Sequence, residues 1–165
     1  MKEIEIKFSD VEDVGTSMNH KEVEVLSNKI ADFIIEIQIT SIDFFINVIK
    51  PYASEFNCSD TNFSEMVYFN ATGIYGILDN IYSNNLILKI DINVLRKALR
   101  NILEDFKKLS STALNFISVT NFVKSDNINK CNSILEKEFN SFEKNYEEIN
   151  SILKEKEKLL DNLDT

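Results

Sequence analysis

Apolar residues recur along most of this chain at alternating spacings of three and four, the period of an amphipathic α-helix. The first such stretch predicts a helix over about 20–50. Asn19 stands at its N-cap and Glu22 at the capping-box position three residues on. Pro51 ends it, because proline lacks a ladder donor and biases Lys50 away from helix. Two apolar stripes run along this helix. Val23, Leu26, Ile30, Phe33 and Ile37 form one, and Ile35, Ile39, Ile42, Ile46 and Ile49 form the other. Two stripes imply two faces in contact with something. The alternation of Ile35, Ile37 and Ile39 also fits a strand, but the length and the double stripe favour helix.

A second helix is predicted over about 61–83, with Phe63, Val67, Ile74, Leu78 and Ile81 on one face. Ser59, Asp60 or Thr61 can cap it, and Asn84-Asn85 signals the turn after it. Gly73 and Gly76 lie inside it, where each costs about 1 kcal/mol relative to Ala. They imply either a closely approaching neighbour or a break into two shorter helices.

The third helix, about 93–124, can be capped by Asp91 or Asn93 and carries a seam from Leu95 through Leu99, Ile102, Phe106, Leu109 and Ala113 to Val123. Ser125-Asp126-Asn127 then forms a turn. The fourth helix runs to about 163 on a seam from Leu135 through Phe139, Phe142, Tyr146, Ile149 and Leu153 to Leu163. Lys156 alone interrupts it, and its aliphatic stem can lie along the groove. A sustained seven-residue repeat is the signature of helices packed at a shallow angle. Helices three and four, roughly 48 and 55 Å long at 1.5 Å per residue, should therefore form a long antiparallel hairpin.

Period-two alternation appears at Ile4, Ile6 and Phe8 and again at Leu88, Ile90 and Ile92. These segments predict a small two-stranded ribbon from residues 2–8 and 86–92, resting on the helices because an isolated ribbon is marginal in water. Residues 9–20, acidic and holding Gly15, read as a loop. The expected fold is mainly α: a four-helix bundle in one helical domain over 1–165. Residues 1–19 hold the short strand and acidic loop, 20–91 helices one and two, and 92–165 the hairpin.

Composition agrees with this. Of 165 residues, 44% are apolar and 27% charged, which suits a folded chain rather than a disordered one. Three Gly and one Pro are too few for the tight turns of a β-sandwich. Residues 1–91 carry 6 basic and 15 acidic groups, net −9, whereas 92–165 carry 12 of each. Within the hairpin, 92–125 is net +4 and 126–165 is net −4, so its helices match electrostatically. The acidic balance speaks against nucleic acid as a main partner. Residues 33–49 are the most membrane-like segment, but Glu36, Gln38, Asp43 and Asn47 interrupt it, and it reads as a helix buried in protein. With no secretory signal, the expected location is cytoplasmic.

Residues that could carry chemistry are sparse. His20 is the sole histidine and reads as an exposed residue at a helix start. Cys58 and Cys131, 73 positions apart, read as reduced thiols. No Glu-x-x-His pair, zinc spacing, EF-hand loop, phosphate-binding glycine loop or nucleophile elbow is present. The acid clusters Glu22-Glu24, Glu136-Glu138 and Glu147-Glu148 read as solvated helix faces. Arg96, Lys97 and Arg100, with Lys107 and Lys108, form a basic cluster weakened by Glu104 and Asp105.

The expectation is therefore a non-catalytic interaction module of adaptor, chaperone, inhibitor or immunity type, with no cofactor and no metal. Its partner is another protein, a basic one in the narrower reading, or a second copy of itself. Ile35, Ile39, Ile42, Phe45, Ile46, Tyr68, Phe69 and Tyr75 are the residues expected to meet that partner. The alternative is an enzyme or small-ligand binder with a pocket between helices.

Overall fold

In a computed structural model of the protein, the residues described are 14–44, 46–47, 60–119 and 125–163. The first helix, α1 (His20–Phe44), begins with the predicted capping box. Asn19 Oδ1 accepts from the Glu22 N–H at 2.9 Å, and Glu22 Oε1 accepts from the Asn19 N–H at 3.2 Å. These two bonds satisfy backbone donors that a helix start otherwise leaves open. The rest of the helix expected to reach residue 50 lies largely outside the described residues.

Helix α2 (Asp60–Asn84) is continuous through both of its glycines. A Cβ placed on Gly73 or Gly76 would meet nothing within 4 Å, so neither glycine admits a close neighbour and neither breaks the helix. Both are exposed, and the helix simply carries their entropic cost. Replacing both with Ala should add roughly 1 kcal/mol each and raise the thermal midpoint by several degrees, about 2–4 °C per kcal/mol at this chain length. A calorimetric scan of the double variant checks this.

After α2, Asn85 takes a left-handed conformation (φ 50°), which Asn tolerates at a helix C-terminus. Strand β2 (Leu86–Leu88) follows and pairs antiparallel with β1 (Gly15–Ser17), in the register Gly15 to Leu88, Thr16 to Ile87 and Ser17 to Leu86. A ribbon is therefore present, but its first strand lies in the segment expected to be a loop. The expected strand at 2–8 lies outside the described residues. Three residues, Gly-Thr-Ser, are too few to show a period, so the alternation test passes over them.

The second strand is also shorter than the alternation predicts. Helix α3 (Lys89–Val119) takes over at Lys89 because the Asp91 carboxylate accepts the Leu88 N–H at 2.9 Å and caps the helix there. Burial raises the Asp91 carboxyl pKa, and the Leu88 bond works against that rise. Helix α4 (Ser125–Leu163) completes the set. Its first turn contains the Ser-Asp-Asn sequence expected to be the connecting turn, since these residues also suit a helix start.

Packing contacts join α1 to α2, α2 to α3, α3 to α4 and α4 back to α1, closing a four-helix bundle. The ribbon sits at one end. The Lys89 N–H donates to Val14 O at 2.8 Å, and the Met18 N–H donates to Asn85 O at 3.0 Å. Met18 and Ile87, both fully buried, extend the core into the ribbon end.

Neighbouring helices run antiparallel. Along α1 and α4, Glu22 meets Lys156, Lys29 meets Glu148 and Glu36 accepts from Asn145. Along the hairpin, Arg96 pairs with Glu157 at 2.9 Å and Arg100 with Glu143 at 3.7 Å. Arg100 and Lys107 also lie over the rings of Tyr146 and Phe139. The predicted seams are the core: Leu95, Leu99, Ile102 and Phe106 are buried from one side, and Phe142, Tyr146, Ile149 and Leu153 from the other.

Lys156, the charged residue in the seam, is an anchor as well as a spacer. Its side chain is 11% exposed, its Nζ lies 2.6 Å from Glu22 Oε2, and it donates to Ser17 O at 3.1 Å. One ammonium thus ties the end of α4 to the cap of α1 and to β1. The hydrogen bond to Lys156 is the main reason the Glu22 carboxyl lies below its ordinary range; burial opposes this and the Asn19 N–H adds to it.

A lowered folded-state pKa means stability that is present above the ordinary glutamate range and lost as pH falls through the lowered value. Glu22→Gln keeps the capping geometry and removes the charge. It should lower stability by only about a few tenths of a kcal/mol at neutral pH, since Glu22 is half-exposed. The variant and the parent should converge in acid. Urea midpoints at neutral and acid pH test this.

Candidate interaction surface

At 100° per residue, Ile35, Ile39 and Ile42 fall within about 60° of one another around the axis of α1. The direction they share is opposite that of Leu26, Ile30, Phe33 and Ile37, which are buried in the bundle. The second stripe of the first helix therefore points away from the core. Each of its four described isoleucines is exposed, Ile39 the most at 54%. Over the described residues 33–44 this corrects the reading of 33–49 as a helix buried in protein: the core face is covered and the outer face is exposed.

On α2, Tyr68, Tyr75 and Tyr82 recur every seven residues and make a row within about 40°. All three are exposed. The row flanks α1, because the His20 ring stacks on the Tyr82 ring with centroids 4.0 Å apart and planes 17° from parallel. With α1 and α2 antiparallel, the tyrosine row borders the outward isoleucine stripe along the same side of the bundle. Phe69 is 80% exposed but lies about 100° round the helix from Tyr68, off that row.

Of the residues expected to meet a partner, Ile35, Ile39, Ile42, Tyr68 and Tyr75 are thus brought onto one side, Ile46 is exposed just past the end of α1, and Phe69 stands apart. Phe45 lies outside the described residues. Tyr82 belongs to the surface but was missing from the expected set. Its seven-residue spacing from Tyr75 was the available signal. Other exposed apolar side chains include Leu86, Ile90 and Val94 near the ribbon and Val119, Ile134 and Leu159 on the hairpin, but none of these is aromatic.

Acidic groups border the isoleucine stripe and the tyrosine row, while Lys21 shares the outward direction of Ile39 at the Tyr82 end. Asp32 lies three residues before Ile35, and Asp43 lies four after Ile39. On α2, Asp79 stands between Tyr75 and Tyr82 at helical spacing, and Glu65 precedes Tyr68 by three. Residues at these separations are surface neighbours on a helix. All four carboxylates are exposed, and none forms an ion pair among the described residues. From residue 30 to residue 88 the sequence holds no Arg and no His, and its only Lys is Lys50.

Among the described residues the remaining candidates do not assemble into a reactive group. His20 is occupied by its ring stack. Cys131 is a half-buried free thiol whose pKa burial pushes up, away from the thiolate needed for reactivity. Cys58 lies outside the described residues. Among the described residues no three His, Cys, Asp or Glu side chains converge as a metal site. Arg96 and Arg100 of the basic cluster are engaged by Glu157 and Glu143.

A cavity of about 240 Å³ opens between α1, α3 and α4, lined by Thr40, Asp43, Phe44, Asn47, Phe106, Ile134, Leu135 and Glu138. Among the described residues no helix is long and apolar enough to cross a membrane. Comparison of the chain with family models, with curated proteins and with solved structures finds no match.

Proposed function

We propose that this chain is a non-catalytic protein-interaction module that engages a protein partner through the outward side of α1 and α2, in the manner of an adaptor, chaperone, inhibitor or immunity-type protein. The observation that carries this reading is the stripe of exposed isoleucines, Ile35, Ile39 and Ile42, opposite the core of α1 and bordered by the tyrosine row of α2. Contiguous apolar surface left in water marks an interaction site more often than single scattered residues do. Aromatic side chains supply the anchors that dominate binding energy.

The test compares the parent with a triple variant, Ile35→Ser, Ile39→Ser and Tyr75→Ser, as baits in an extract of the native host. Light scattering on both proteins accompanies it. The reading predicts a stoichiometric partner, or an oligomer, that is lost in the variant. Identical capture and a monomer in both cases would contradict it.

A second reading follows from the cavity beside Asp43 and Glu138, which makes the bundle a small-ligand binder. Its volume is below the roughly 300–1,000 Å³ of usual ligand sites. Mass spectrometry of the denatured protein would decide it by the presence or absence of a copurified small molecule.

A further inference from the structure

We infer that the occupant of the α1/α2 side is a cationic amphipathic helix of another protein, with an apolar stripe flanked by Lys or Arg. This rests on the interaction-module reading and adds the chemistry of the partner. The apolar rows fix the first half. Ile35 to Ile42 covers roughly 11 Å and Tyr68 to Tyr82 roughly 21 Å at 1.5 Å per residue, a length that two to four turns of helix would fill. A helix laid along such rows presents side chains at i, i+3, i+4 and i+7 to them.

The carboxylates fix the second half. Asp32, Asp43, Glu65 and Asp79 each neighbour a member of the rows, and none forms an ion pair among the described residues. A partner with Lys or Arg beside its apolar stripe meets all four with opposite charge, which speeds encounter and fixes register. A second copy of this chain meets them badly. A two-fold contact places each protomer's surface against the same surface of its partner, so carboxylates face carboxylates across an apolar centre. The arginines of the basic helix, Arg96 and Arg100, are already held by α4.

The test titrates the full chain with two synthetic helical peptides that share their leucine positions. One carries Lys at the flanking positions and the other carries Glu. Calorimetry is run at about 50 and about 500 mM salt. Three proteins are compared: the parent, Ile39→Ser with Tyr75→Ser, and Glu147→Gln with Glu155→Gln as a control on the exposed face of α4. Circular dichroism confirms that each is folded. The Lys peptide is expected to bind the parent and the α4 control alike, to weaken roughly tenfold or more at the higher salt, and to lose binding in the Ile39/Tyr75 variant. The Glu peptide is expected not to bind.

Equal binding of both peptides, or Lys-peptide binding that survives the Ile39/Tyr75 substitutions, overturns the inference. Self-association of the parent that these substitutions abolish, without Lys-peptide binding, overturns the cationic partner and leaves the interaction module standing. A parent that stays monomeric and binds neither peptide overturns the inference. If host-extract capture is also unchanged by the surface substitutions, the interaction module falls with it.

Discussion

Phe142→Ala is expected to lose about 3–5 kcal/mol of unfolding free energy, a large fraction of the roughly 5–15 kcal/mol that holds a typical domain together. Phe142 is almost fully buried midway along α4. Its ring meets that of Phe106 on α3 edge-to-face, with centroids 5.5 Å apart and an interplanar angle of 86°. Truncation removes both the transferred apolar area and the aromatic contact. It also leaves a cavity that two long, rigid helices cannot close. Phe69→Ala is the matched control. The same substitution at an 80% exposed position should change stability by no more than about 0.5 kcal/mol. Urea unfolding of both variants separates them, and similar losses would mean that the two rings are not placed as described.

Gly15→Val is expected to destabilise by about 1–3 kcal/mol, and for a different reason. Gly15 has no positive φ, so the constraint is space rather than backbone conformation. A Cβ at this position would sit 2.8 Å from Leu88 Cδ2 and 2.9 Å from Ile87 O. The leucine tip can turn aside, but the carbonyl belongs to the partner strand and cannot. The strands must separate, which loosens the bonds from Lys89 N–H to Val14 O and from Met18 N–H to Asn85 O. Amide exchange should therefore accelerate at Met18 and Lys89 while the middle of the hairpin keeps its protection. Set against the stabilising substitutions at Gly73 and Gly76, this makes the sign of a glycine replacement depend on the space around it.

What could be read from the residues follows the length scale of each interaction. Helices of 25 to 39 residues repeat their pattern several times, so Leu95 to Ala113 and Leu135 to Leu160 announce their seams without any coordinates. The capping box of Asn19 and Glu22 is equally legible because its partners are three residues apart. Strand β1 is not, because it is too short for a period and is held by residues about 70 positions away. The alternation through Leu88, Ile90 and Ile92 misleads for a local reason: one carboxylate, Asp91, caps a helix where the pattern alone would continue a strand.

Lys156 shows both sides of this. That its stem could lie in the seam follows from the side chain itself. That its ammonium reaches Glu22 and Ser17 follows only from the closing of the bundle. For the candidate surface, the double stripe of α1 was visible as a pattern, and the isoleucines were named from it. Which stripe the bundle would cover was not visible, because that depends on how many neighbours each helix has. In a closed ring of four, α1 touches α2 and α4, and its outer face is left over.

Hydroxyl-radical footprinting of the isolated protein, read residue by residue by mass spectrometry, tests most directly whether the outer side of α1 and α2 is open. The account predicts heavy labelling at Ile39, Tyr68 and Tyr75, and protection at Phe33, Leu99 and Phe142. Protection of Ile39 and the tyrosines at a concentration where the protein is monomeric would mean that the chain already covers this surface itself, and would contradict the account.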